Sequence, residues 1–498
     1  MSSGVQKIND NPFLRVTFAI VVGAAIAGFI SSLKPLWIVL VLSSFLVFML
    51  TFLVKDARLY WMILFIFALQ FDLKKNLFDG LKILEDLHID YAQFIFVPEI
   101  RSSDLALAIL LVLWIHNLVF HKKEFKFPKA GWFAIGFLVW SGLSMFKAPH
   151  IYLSVVELLR QCKFFLIYLY TVNNIDSKRA VKAILMTLVM ALILQGTVTL
   201  VRYKLQYFEP FFGESFGRSG DMSSVKRLMV IDPSVGELKA SFGTSQGITF
   251  QFFLLVVPIA LMFCYKNHTF PRQWIFFPVF VIGFLGVYVT YSRTSFIAFI
   301  VEVILCFYFG LQRGYISKMA GLILFSFVAL IILILFPKLN DYMNRKTENI
   351  SVRFEQYKIA NVMILANPLL GVGLNNSTGV ARTYIKHSRS PVDPISLAAD
   401  APIHSFFLTL LTEIGIVGFM LYMIFFICIC REAWRLSRLS RDPEIAFFAT
   451  ILLVIIMGLA SGVLTNALFE DAIQMLLWLY AGLILAFTRM EEADCSDT

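Results

Sequence analysis

The stretch KLNDYMNRKTENISVRFEQYKIANVMILANPLLGVGLNN, residues 338–376, decides how this chain is read. It is long and polar, and it follows an apolar run. A basic segment, RTYIKHSRSPVDPISLAADAP (382–402), comes next, and the chain then re-enters apolar sequence as IHSFFLTLLTEIGIVGF (403–419). Loops longer than about 15 residues are usually functional or disordered. A loop of this length between two spans, with Arg353 toward its start and His404 at its exit, predicts a site folded onto a membrane surface.

Composition supplies the spans. The 498 residues are 59% hydrophobic and 15% charged, with a mean hydropathy of +0.77. Soluble domains carry about 25% charged residues, so the chain reads as a polytopic membrane protein. Its formal charge of +10 is assigned to loop Lys and Arg that fix topology. No nucleic-acid motif competes, and no nucleic-acid partner is expected. The six cysteines lie in or beside apolar runs, apart from Cys495, and Cys428 and Cys430 are too close together for a zinc pair. Neither a metal site nor a cofactor is expected. The first apolar run, from Phe13, has no small-residue cleavage site and reads as a signal anchor.

A transmembrane helix needs about 20 apolar residues, and by that rule the chain offers roughly fourteen candidates. The expected fold class is all-α: a polytopic inner-membrane bundle of about 12–14 helices with a large external loop carrying short amphipathic helices. The expected layout is transmembrane helices over 1–201, an external loop over 202–246, helices over 247–337, the large capping loop over 338–402, helices over 403–488, and a tail over 489–498. Orientation follows from the short loops. KDAR (55–58), HKKEFKFPK (121–129), NNIDSKRA (173–180), KNHTFPRQ (266–273), LQRGYISK (311–318) and REAWRLSRLSRD (431–442) are all basic and are placed inside. SSLKP (31–35), FKAPH (146–150) and TNALFED (465–471) are poor in positive charge and are placed outside. Both termini then lie inside and the capping loop faces out, which in a bacterium means the periplasm.

Five constellations are candidates for carrying chemistry. In YSRTS (291–295), Arg293 sits in a tight turn between apolar runs, where it either meets an anion or snorkels to a lipid phosphate. SVRFEQY (351–357), running into KIANVMILANP, has near-helical apolar spacing and predicts a short interfacial helix that stops at Asn367-Pro368, with Gly371-Val372-Gly373 as a turn. His404 opens a span after Pro402; it is either a general base or a helix-capping residue. In SVVELLRQCK (154–163), Glu157 and Arg160 share a helix face. Arg160, Glu302 and Glu413 are expected to form a structural ion-pair network, and Glu413 to bridge helices rather than touch His404. The loop 202–246, with RSGDMSSVKR and GELKASFGTSQGITFQ, reads either as a glycan-binding loop or as a solvated linker.

In order, Ala240-Ser241-Phe242-Gly243-Thr244, the Ser292-Arg293-Thr294 turn, Arg353 ahead of ANPLLGVG, and IHSFFLTLLTEIGIVG resemble the O-antigen ligase and Wzy-type O-antigen polymerase superfamily. The likeness covers about 237–418, and more loosely the helix of Glu157 and Arg160. The resemblance implies a GT-C-type, metal-independent inverting glycosyltransferase with no cofactor. It implies a polyprenyl-diphosphate-linked glycan donor, a lipid A–core or glycan acceptor, and contact with membrane lipids. It also implies that Arg293 and Arg353 hold the diphosphate and His404 activates the acceptor hydroxyl. The family usually has His-Asn where this chain has His404-Ser405, so Ser405, with Arg160, Glu157 and Glu413, is assigned a supporting or structural part.

The chemistry is self-consistent. Arginine offers permanent, bidentate charge to a lipid diphosphate, and a sugar hydroxyl attacking an anomeric carbon needs a base within reach. The alternative is a lipid-linked oligosaccharide flippase or other export transporter, which predicts inverted repeats and Gly/Pro-broken helices in matching halves; the sequence displays neither. A third possibility is a structural subunit of an export complex.

Overall fold

The computed structural model describes residues 56–70, 74–76, 99–122, 124–205, 246–265, 273–289, 293–319, scattered positions between 321 and 333, and then 348–385, 402–463 and 469–496. The chain divides into two units, Met1–Trp61 and Met62–Thr498. Of the first, only residues 56–61 are described, at the start of helix α1 (Ala57–Ala68). The apolar runs before residue 56 therefore lie outside the described residues, as does most of the loop expected at 202–246.

The second unit is a helical membrane bundle. Strands β1 (Lys74–Asn76) and β2 (Glu99–Arg101) pair antiparallel. The helices α2 (Ser102–Phe120), α3 (Gly131–Ser144), α4 (Ile151–Asn174) and α5 (Lys178–Leu205) follow. Next come α6 (Gln246–Phe263), α7 (Phe276–Val289) and α8 (Arg293–Gln312). Helix α9 (Glu348–Ala366) lies in the capping loop; α10 (Phe406–Leu439), α11 (Pro443–Met457) and α12 (Asp471–Ser496) complete the chain. Among the described residues, Ser102–Phe120, Lys178–Val201, Phe406–Leu439 and Asp471–Ala493 are long and apolar enough to cross a membrane, and shorter apolar helices accompany them.

Lipid tails are as apolar as leucine, so helices in a membrane associate through close packing and internal polar contacts rather than by escaping solvent. Both are visible here. Among the described spans long enough to cross a membrane, α12 is the most enclosed, 83% buried, and it packs along α4 and against α10. Aromatic rings tie the three together: Phe425 of α10 stacks on Trp478 of α12 at 4.9 Å, and Tyr168 of α4 meets Phe425 edge-on at 5.3 Å. Helix α10 also packs on α3 and α11, while α5, α6 and α7 form a neighbouring layer.

Helix α10 is not continuous. Gly415 has φ 67° and ψ −175°, outside helical geometry. The sequence, apolar on both sides of this glycine, predicts an uninterrupted span; the structure corrects that. The break exists because another part of the chain fills it, and that part leads to the site.

Candidate functional site

Helix α9 stops where Asn367-Pro368 predicts, because a proline cannot extend the ladder. The backbone of 368–373 then lies against the break in α10. The Ile416 N–H, deprived of its helical acceptor, donates to Pro368 O at 2.8 Å. Thr412 O accepts from the Val372 N–H at 2.9 Å and Glu413 O from the Gly373 N–H at 3.1 Å. Ile414 O accepts from the Trp140 indole of α3 at 3.1 Å. Backbone polar groups inside a membrane must be satisfied internally, and this loop supplies what the broken helix lacks. The approach is too close for side chains. A Cβ on Gly415 would lie 2.1 Å from Leu369 O, and one on Gly373 would lie 2.5 Å from the Ala148 Cα.

Beyond the glycines the loop is pinned by side chains. Glu413, 5% exposed, accepts from the Asn375 N–H at 2.8 Å and from the Ser377 hydroxyl at 2.7 Å. It therefore binds the capping loop rather than a neighbouring helix. Asn376, fully buried, accepts from the His150 N–H at 3.0 Å and donates to Leu374 O at 2.8 Å and Ser154 Oγ at 3.0 Å. The loop is thereby fastened to the start of α4.

This docking sets α9 beside the mouth of α10. One face of α9 buries Gln356, Ile359, Ala360 and Met363, the last two fully, and Ile359 and Met363 pack with Val372, Val380 and Ala381. At the N-terminal end, α9 reaches His404. The His404 N–H donates to Gln356 Oε1 at 3.3 Å, and the Tyr357 hydroxyl donates to His404 O at 3.2 Å. Arg353 stands one turn before them and acts electrostatically on the imidazole. Burial first, and the Arg353 charge second, push the His404 imidazole down from the ordinary 6.5 to about 4. It is neutral at pH 7, the form that accepts a proton. Ser405 is the N-cap of α10, its hydroxyl accepting from the Leu408 N–H at 3.3 Å. Because the helix begins only at Phe406, counting helical angles from His404 does not describe Glu413; its place is set by the capping loop.

Arg293 is the first residue of α8, but its side chain falls outside the described residues. Glu157 and Arg160 form a two-pronged pair at 2.7 and 2.8 Å. The rest of the network differs from expectation. Arg160 reaches Asp471 Oδ1 at 2.8 Å, Lys163 bridges Asp471 Oδ2 at 2.6 Å and Asp104 Oδ1 at 3.1 Å, and Arg101 approaches Asp471 at 3.6 Å. Glu302 and Glu413 are not its partners: Glu302 is buried on α8 beside Gly458, and Glu413 serves the loop. A cavity of about 20 Å³, room for one water, lies beside this cluster and is lined by Glu157, Arg160, Gln161, Phe406, Phe469 and others. The Phe406 and Phe469 rings, 4.7 Å apart, connect the cluster to the His404 mouth.

The stretch that holds Arg353, the docked loop and His404 also carries the likeness to known proteins. Residues 278–423 match the family model for O-antigen ligase. This match, from within α7 through the capping loop to the middle of α10, supports the O-antigen ligase and Wzy-type superfamily, and with it ligase- or polymerase-type glycosyl transfer in a multi-pass membrane protein. No curated protein matches the chain. Sequence reasoning did not single out Gln356 and Tyr357, although their positions three and four residues after Arg353 place all three on neighbouring helical positions. It also missed Asp471, hundreds of residues from Arg160, for which no local pattern exists.

Proposed function

We propose that this protein transfers a glycan from a polyprenyl-diphosphate carrier to an acceptor hydroxyl at the periplasmic face of a bacterial inner membrane, with both termini cytoplasmic. The acceptor is lipid A–core or a growing glycan. The observation that carries the reading is that α9, the helix bearing Arg353, is hydrogen-bonded to His404 at the mouth of a membrane span, inside the O-antigen ligase match. His404 takes the acceptor proton as the oxygen attacks the anomeric carbon. The bond to the diphosphate breaks with inversion, and Arg353 and Arg293 stabilise the charge that develops on the departing phosphate. Their permanent charge does the work that a metal ion does elsewhere, so no metal is required.

The broken helix α10 revives the transporter alternative, because transporters build midplane sites from such breaks. Here the gap at Gly415 is filled by backbone of residues 368–373, which leaves it occupied by the chain itself. That favours an enzyme. The test is purified protein in lipid with a polyprenyl-diphosphate-linked repeat unit and a chelator. Release of polyprenyl diphosphate that depends on lipid A–core marks a ligase; release with lengthening glycan and no added acceptor marks a polymerase. Glycolipid translocation without release would overturn the proposal.

A further inference from the structure

His404 precedes the first turn of α10, so the helical ladder of that span does not fix its backbone. Helix α9 does so instead. Gln356 Oε1 accepts from the His404 N–H at 3.3 Å, and the Tyr357 hydroxyl donates to His404 O at 3.2 Å. Both backbone polar groups of one residue are thus held by consecutive side chains of another helix, a turn away from Arg353. Gln356 is 1% exposed, and its amide orientation is set by its task, because the His404 N–H requires an acceptor. This leaves Nε2 buried and without a hydrogen-bond partner among the described residues. This unpaired donor belongs to the residue that holds the His404 N–H, one helical turn from Arg353.

We infer that Gln356 and Tyr357 are positioning residues that fix His404 for proton abstraction, and that the spare amide nitrogen of Gln356 takes an oxygen of the bound diphosphate-sugar donor. This rests on the reading of His404 and Arg353 given above. Positioning matters because a base displaced by about 1 Å from its reacting hydroxyl costs on the order of 10²-fold in rate.

The experiment is steady-state transfer in lipid by wild type, Tyr357→Phe, Gln356→Met, Gln356→Glu and His404→Ala, each normalised to its folded amount. Tyr357→Phe removes one hydroxyl and is expected to lower kcat about ten- to a hundredfold with the donor KM unchanged. Gln356→Met, which keeps length but has no amide, is expected to lower kcat and raise the donor KM together. Gln356→Glu restores the acceptor for the His404 N–H without the donor. It is expected to recover part of the lost kcat while the donor KM stays raised. Wild-type kcat in both Tyr357→Phe and Gln356→Met, with His404→Ala inactive, would overturn the inference and leave the base assignment standing. Full activity of His404→Ala would overturn both.

Discussion

Inside a membrane-spanning helix, Glu413 accepts the Ser377 hydroxyl hydrogen at 2.7 Å. Its other oxygen takes the Asn375 N–H at 2.8 Å, so one carboxylate holds the middle of the capping loop in place. Glu413→Ala leaves these donors buried and unpaired, at about 1–3 kcal/mol each. The expected outcome is a lower thermal midpoint and a smaller folded fraction on size exclusion. Glu413→Gln, which keeps an acceptor, should lose less. Unchanged stability in Glu413→Ala would show that the loop is held by its backbone alone.

The glycines give a graded comparison. Gly415 and Gly314 have nearly the same positive φ, 67° and 69°, but a Cβ on Gly314 would meet nothing within 4 Å, whereas one on Gly415 would collide with Leu369 O. Gly314→Ala should therefore cost only the left-handed penalty, about 1–2 kcal/mol. Gly415→Ala should cost more than about 3 kcal/mol and release the loop, which limited proteolysis within 368–385 would detect.

His404 should titrate far below an ordinary histidine. Its imidazole is pushed down to about 4, by burial and then by Arg353. Site-resolved modification by diethyl pyrocarbonate, which attacks the neutral ring, should persist at pH 5 and fail only near pH 4. Arg353→Ala removes the lesser cause, so the midpoint should rise part of the way toward 6.5. Linkage gives the sign for stability: between pH 6.5 and about 4 the unfolded chain binds this proton more than the folded one. Stability therefore falls as pH is lowered through that window, and His404→Ala should flatten the slope.

Transfer itself should be lost in Arg293→Ala, Arg353→Ala and His404→Ala, with expression intact. Arg353→Lys should recover little, because an ammonium cannot grip a phosphate with two parallel bonds. Wild-type turnover in Arg353→Ala would remove this residue from the donor site.

The charge cluster should respond differently. Asp471 faces Arg101, Arg160 and Lys163. Removing one member of a buried ionic group leaves charge uncompensated, at about 3–5 kcal/mol. Asp471→Asn should thus depress the thermal midpoint strongly, and Asp471→Asn combined with Lys163→Met should restore part of it.

Much of this was legible in the sequence. Apolar run lengths gave the membrane bundle, and Asn367-Pro368 marked the end of α9. The spacing and order of Arg353, the glycine turn and His404 pointed to the family. Glu413 and Gly415 were not legible, because both are defined by a partner segment well upstream, and helical periodicity is blind to such pairing. An isolated glycine in a span ordinarily leaves the helix intact; only the docked backbone of 368–373 makes the break stable. Arg160 was seen to need partners, but choosing Asp471 over Glu413 required knowing that α12 lies against α4.

The two attachments of α9 to α10 have a mechanical consequence. From His404 along α10 to Ile416, across to Pro368, back along α9 to Tyr357 and across again, the chain traces a closed ring with two joints. The joint at Ile416 is made of bonds of 2.8 to 3.1 Å and reinforced by Trp140; the joint at His404 has two longer bonds, 3.2 and 3.3 Å. A ring fastened at both corners and packed along its buried face gives α9 no free end, so Arg353 keeps one register with His404.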